Sequence, residues 1–587
     1  MKPTAFLLLA ALSTSACELP PPRAAAARAN LGDKPPAATA AWPDTAVLTE
    51  GVFRLIPADP APAPELLQGL AQRLEQTSQE ILAFAARPAP GTPLACYVYA
   101  SAELKGLHER NTELAQADFE GQAVHLVLNE AYTDKPNGLE HTLLLRLLLG
   151  KPSTQMLEEG LAVYFTPRWQ GRGYAYWAAR LYRSGNMMRL AEILDNERFA
   201  RESRLTRGCL AASFAAFLLE HWGRDMLLER YTSWQPAPNE IAELEQTWHL
   251  YLSRQAPEEA ERFAAAPLPY LKGFNFAHEG YAIYNGYGSR LAREALEKQA
   301  ALGASAVAIV PYSYLRQPRQ PAFIPVVMRA GAETDEGVIQ DAHAARQLGM
   351  AVVLKPQLWL GRGRWPGDVE MENEADWQAF FDYYYRWMRH YALLAEIHQM
   401  DLLCVGVEFA KASLQRPDDW RRLIRKLRGI YSGPLTYAAN WGEEFENLAF
   451  WDELDYIGLN CYYPLSQQDD PSDEELARAF GQVLQLAERV SRRYGKPLVF
   501  TEIGFTSTPT PWKEPHRDRD GSPYDGLAQE RCYRIVLESL IGQDWARGIL
   551  WWKYPSYLSH GGPGQTGFTP CGKPAEDLLP SYFKQLR

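Results

Sequence analysis

The chain has no long run of lysine and arginine, no two cysteines spaced as CxxC, and no His-Glu-x-x-His. The first absence, with a net charge of −11, removes the electrostatic footprint of a nucleic-acid binder. The second argues against a zinc-cysteine site. The third removes the helix of a zinc peptidase, which needs two imidazoles one turn apart and a base between them. A Gly-rich phosphate turn after an early strand is also missing, which speaks against a doubly wound dinucleotide fold. No motif implies a metal or a cofactor.

What is present is long and aromatic. At 587 residues the chain exceeds one core, so two or more domains are expected. Seventeen Trp and thirty Tyr suit either core packing or sugar-stacking platforms, and composition does not choose between them. At the N-terminus Lys2 precedes the apolar run from Phe6 to Leu12, too short to span a bilayer, and small residues lead to Cys17. Thr14-Ser15-Ala16-Cys17 resembles a bacterial lipobox, with Thr14 where Leu is usual. Residues 1–17 therefore read as a lipoprotein-type signal peptide, with Cys17 lipidated. Ordinary secretion with cleavage near Ala16 is the alternative. Residues 18–43, rich in Pro and Ala, read as a flexible tether. The expectation is an exported lipoprotein of the cell envelope, held to a bacterial membrane through Cys17 on its periplasmic or surface side. Of the six remaining cysteines, Cys404 and Cys461 lie in strand-like runs and read as small core residues. A disulfide is possible in an exported chain, and nothing fixes its connectivity.

From about residue 270, apolar strand-like runs alternate with amphipathic helical stretches, the pattern of a parallel α/β architecture. The strands expected are 272–277, 306–314, 351–360, 402–409, 435–441, 456–463, 498–505 and 548–554. Helices are expected between them at 289–302, 334–348, 376–398, 418–430, 443–451, 473–494 and 526–541. Eight strands in this span fit a (β/α)8 TIM barrel over residues 268–587, with its active site at the C-terminal ends of the strands. Polar residues gather at those ends: Asn275, Gln357, Glu408, Asn440, Asn460, Tyr462, Glu502 and Lys553. Alternation along a strand puts Lys355, Gln357 and Trp359 on one face.

Glu408 and Glu502 each close an apolar run, where a carboxylate is costly unless something requires it. A retaining glycosidase requires two. One stays ionised to attack the anomeric carbon, and the other holds a proton for the leaving oxygen.

Several segments then resemble one family. They are Val353-Leu354-Lys355-Pro356, Arg364-Trp365-Pro366-Gly367, Val405-Gly406-Val407-Glu408, Ile457 to Leu465, Phe500 to Phe505, and Trp551-Trp552-Lys553. In order and spacing they resemble glycoside hydrolase family 113, known for β-mannanases, within the clan of retaining (β/α)8 glycosidases. The resemblance implies Glu502 as nucleophile, Glu408 as general acid/base and Tyr462 as a hydrogen-bond partner of the nucleophile. It implies a carbohydrate substrate held by Asn275, Lys355, Gln357, Trp359, Asn440 and Asn460, with Trp551 or Trp552 as the floor of the sugar site. Two positions depart from the pattern. Val407 stands where many clan members have Asn, and Gln357 where a His is frequent, so the sugar stays open.

Residues 44–265 read as a different, mainly helical α+β domain. Glu140-His141 and the segment from Gln155 to Phe165, with Glu158, resemble gluzincin peptidases, and Cys209 to Phe214 resembles their tail. Aligned on His141, however, Thr142 replaces the base and Leu145 the second histidine. The expectation is a degenerate peptidase-like domain without a catalytic metal. Glu140 and Glu158 are left as replacement ligands in principle, and neither is expected to hold a metal. The rival functions for the whole chain are a non-catalytic carbohydrate-binding or envelope scaffold and, more remotely, a metallopeptidase.

Overall fold

The computed structural model describes residues 48–255 and 268–587, apart from 278, 362–363 and 519–520. The expected leader, Cys17 and the tether lie outside the described residues.

The C-terminal region is a closed parallel barrel of eight strands. They are β1 (Leu271–Ala277), β2 (Ala306–Ile309), β3 (Ala351–Leu354), β4 (Leu402–Val407), β5 (Leu435–Asn440), β6 (Tyr456–Asn460), β7 (Leu498–Ile503) and β8 (Ala546–Pro555). Their apolar runs are continuous because helices cover the outside while side chains fill the lumen. Leu271, Ala306, Ala308, Val353, Leu402, Val499 and Leu550 form that lumen layer, all fully buried. The outer helices stop and start on local signals. Ser472 and Glu475 make a capping box at Asp473–Tyr494, and Gly495 closes that helix in the left-handed region.

Two strands end earlier than the sequence suggests. The runs 306–314 and 351–360 each break at a proline, Pro311 and Pro356, which has no N–H to give a central ladder. Beyond each break the chain leaves the barrel. Tyr312–Leu315 and Gln357–Leu360 pair with each other as a separate parallel ribbon over the mouth. Apart from one at the start of β7, the register shifts in β4, β7 and β8 fall near the same end, where bulges re-aim side chains.

The N-terminal region has a five-stranded mixed sheet in the order 48–50, 53–57, 94–99, 123–127, 115–118. Helices follow it from Thr142 to Gln255. Among them Arg204–Trp222 is buried nearly all round and packs against the barrel helix Glu374–Ile397. Two ion pairs with both partners buried cross that contact: Arg389 Nη2 to Glu202 Oε2 at 2.8 Å and Arg180 Nη1 to Glu396 Oε1 at 3.0 Å. The six cysteines of the described residues are all buried and unpaired.

Candidate active site

Glu502 ends β7 and is 6% exposed. Its Oε2 accepts a hydrogen bond from the Tyr462 hydroxyl at 2.8 Å. Its Oε1 accepts from Gln357 Nε2 at 3.0 Å and is ion-paired with Lys355 Nζ. All three partners are donors, which suits an ionised carboxylate. Lys355, at the end of β3, is fully buried, so its charge must be matched. Asn275 Oδ1 accepts from it at 3.0 Å, and the Trp552 ring lies 5.4 Å away. Asn275 is itself buried and donates to the carbonyls of Thr501 and Leu550 at 3.0 and 3.2 Å, tying β1 to β7 and β8.

Glu408 follows β4 in the left-handed region, with φ +56. Such a conformation is unusual for a residue with a Cβ and costs about 1–3 kcal/mol. It is held by its neighbours: Glu408 N–H donates to Ala438 O and Phe409 N–H to the Tyr437 hydroxyl, both at 2.9 Å. Tyr437 in turn donates to Glu444 at 2.6 Å, and Glu444 also accepts from Ser413 and from the Asn440 N–H. Glu408 Oε1 accepts from Asn460 Nδ2 at 2.9 Å and Oε2 from Trp365 Nε1 at 2.6 Å. Burial, and then the negative charge of Glu502, push the Glu408 carboxyl up to about 7, while the two donors pull the other way. Asn460 stands opposite Glu502 in the β6–β7 register, and its Oδ1 accepts from Thr501 at 2.9 Å. One amide therefore links the two carboxylate strands.

The predicted residues sort into three groups. Glu408, Glu502, Tyr462, Lys355, Gln357 and Asn460 form one hydrogen-bonded cluster. Trp359, 52% exposed on the outer ribbon, and the half-buried Trp552 and Asn440 lie beside it. Asn275, expected to touch substrate, is instead buried behind Lys355, and Asn460 spends its amide on Glu408 and Thr501. Trp551 corrects the expectation of a sugar floor. It is fully buried and stacked on Tyr533 of the outer helix Gly526–Leu540, with centroids 3.7 Å apart. Strand parity explains it: Leu550 is in the lumen layer, so Trp552 shares the inner face and Trp551 points out.

Sequence reasoning passed over three residues. Trp365 was visible only as part of a tetrapeptide. Tyr437 and Glu444 carry no signal of their own, because their role depends on a tertiary contact beneath Glu408.

Among its described residues the N-terminal region assembles no comparable cluster. His141 is buried with its Nε2 4.0 Å from Glu140, and Glu158 is held by Arg146 at 2.7 Å. Gly160 has a packing reason: a Cβ there would sit 2.7 Å from the Ala211 carbonyl of the neighbouring helix. Among the described residues no three metal-ligating side chains group together. Nothing found here supports the peptidase likeness.

The model of glycoside hydrolase family 113 matches residues 277–573. Similar solved structures include a family 113 β-mannanase from Alicyclobacillus acidocaldarius in complex with ManMIm. It is 26% identical, over 55% of this chain and 99% of that one, with a TM-score of 0.49. A family 113 β-1,4-mannanase is 24% identical over 54% and 99%, with a TM-score of 0.48. A β-glucuronidase from Ruminococcus gnavus is 16% identical over 54% and 50%, with a TM-score of 0.37. No curated protein matches the chain.

Proposed function

The chain belongs to glycoside hydrolase family 113, and we propose that this glycoside hydrolase cleaves β-linked polysaccharide with retention, through a glycosyl-enzyme intermediate. Glu502 attacks the anomeric carbon. Glu408 gives its proton to the leaving oxygen, then takes a proton from the water that hydrolyses the intermediate. Tyr462, Gln357 and Lys355 orient Glu502, and Asn460 and Trp365 orient Glu408. Trp552 and Trp359 offer faces to sugar rings, and Asn440 lies close enough to the mouth to meet a hydroxyl.

The observation that carries this reading is the unequal treatment of the two carboxyls. Glu502 is surrounded by donors, one of them cationic. Glu408 has neutral donors and a carboxyl near neutrality, the condition for an acid that must also act as a base. β-Mannan is the first substrate to test, on the family resemblance alone. A reducing-sugar assay against mannans, glucans and xylans tests the substrate. Glu502→Ala with azide tests the nucleophile: the expected product is a glycosyl azide of inverted configuration. Full activity in both Glu408→Gln and Glu502→Gln would end the proposal.

Export and lipidation at Cys17 form part of the same proposal and rest on the N-terminal sequence. A Cys17→Ala variant should move from the membrane to the soluble fraction; unchanged membrane association would remove the anchor.

A further inference from the structure

A second constellation lies away from the barrel mouth, where the N-terminal region meets the barrel helices. A cavity of about 320 Å3 opens there. On its wall Ser203 Oγ lies 2.7 Å from His390 Nδ1, and His390 Nε2 lies 2.8 Å from Asp335 Oδ1. We propose that Ser203, His390 and Asp335 form a second hydrolytic site that removes short acyl groups from ester substrates. The proposal is independent of Glu408 and Glu502.

Three observations point to chemistry rather than to a clasp between regions. Ser203 occupies the N-cap position of the helix Arg204–Trp222, yet its side chain makes no capping bond. Serine at that position ordinarily accepts from the first turn; here the hydroxyl faces an imidazole instead. His390 is 2% exposed and bonded on both ring nitrogens, so Asp335 fixes its orientation as the third member of a triad does. The nitrogens are exchanged relative to the usual serine triad, which leaves the proton relay intact, since one ring nitrogen faces serine and the other a carboxylate. Arg204, next to the serine, lines the same cavity, and its buried Nε has no hydrogen-bond partner among the described residues. A clasp needs no spare donor, whereas an ester carbonyl that becomes an oxyanion does. The helix N-terminus adds favourable potential at the same place. Leu205, Ile324, Ile339 and Trp387 supply apolar wall for a small acyl chain.

The reaction balances with water alone. Ser203 Oγ bonds to the carbonyl carbon while its proton passes to His390 Nδ1. The alcohol leaves with that proton as the ester C–O bond breaks. Water then attacks the acyl-serine, giving its proton to His390, and the carboxylic acid departs as Ser203 recovers its proton.

The test uses the intact protein. A fluorophosphonate should form an adduct that peptide mapping places on Ser203. p-Nitrophenyl acetate should be hydrolysed, with a loss of at least about a hundredfold in kcat/KM for Ser203→Ala. Glycan hydrolysis should be unchanged in that variant, and Glu502→Gln should keep the esterase. Wild-type protein that hydrolyses the ester no faster than Ser203→Ala would overturn the proposal. So would an adduct absent from Ser203, a readout that needs no variant.

Discussion

Hydrogen-bonded acids occur in both regions of the molecule and are handled differently. In the N-terminal region Glu158 is clamped by Arg146, Glu159 by Arg207, and Glu202 by Arg389 reaching from the barrel. Each partner is a guanidinium, which stays charged at any working pH. At the barrel mouth the donors bonded to Glu408 are an indole and an amide. A guanidinium locks its carboxylate in the ionised form; a neutral donor orients the group and still lets it take up a proton. The difference separates acids that hold a fold together from acids that can exchange protons with a substrate.

Removing acids on each side tests that contrast most strongly. Glu502→Gln should lower kcat/KM for a polysaccharide substrate by roughly 10⁴–10⁶-fold. Glu408→Gln should lower it by about 10²–10⁴-fold, and by less for an aryl glycoside whose leaving group needs no proton. Glu158→Gln should leave kcat/KM per folded molecule unchanged. A comparable loss in all three, measured by steady-state kinetics, would break the comparison.

Stability should show the reverse order. Trp551→Ala removes a fully buried ring and should cost about 3–5 kcal/mol in denaturant titration. Trp552→Ala, on the inner face, should instead raise KM. Arg146→Ala leaves Glu158 without its cation. Both side chains are partly exposed, so the loss should fall to about 1–3 kcal/mol. An equal effect of the two Trp substitutions on KM would mean that strand parity does not decide which ring meets sugar.

The barrel was legible because eight apolar runs, seven of them carrying a polar residue near the end, leave few alternatives. The two glutamates were legible because a carboxylate closing such a run is costly. The proline breaks were not read, because the expected strands run straight through Pro311 and Pro356; yet neither residue can serve a central ladder, and that rule accounts for Gln357 lying on a ribbon above the mouth. Trp551 could have been excluded by counting alternation from Leu550. By contrast, the indole of Trp365 reaches Glu408 across a loop, and Glu444 acts through Tyr437; neither contact leaves a periodic trace. In the N-terminal region the Glu-Glu-Gly segment looked like ligand chemistry because a helix that packs closely and a helix that binds metal can share residues. Gly160 against Ala211 and Glu158 against Arg146 account for it by packing and pairing.

A change smaller than removing either carboxyl is the sharpest probe of the neutral-donor idea. Glu408 must be protonated to deliver its proton, so activity should fall as pH rises through about 7. The Trp365 N–H stabilises the charged form of Glu408 and thereby holds its carboxyl lower than burial and Glu502 alone would set it. Trp365→Phe keeps most of the ring's cover over the carboxyl and removes only the donor. With that donor gone the neutral acid is favoured, and the alkaline limb of kcat/KM should move to higher pH. The accompanying loss of rate should correspond to one orienting hydrogen bond to a charged group, about 1.5–3 kcal/mol at most. A pH–rate profile separates the two effects, because a residue that merely packs would lower the plateau without moving the limb. A limb that stays in place or shifts downward would show that the indole shields Glu408 from water rather than tuning it by a hydrogen bond.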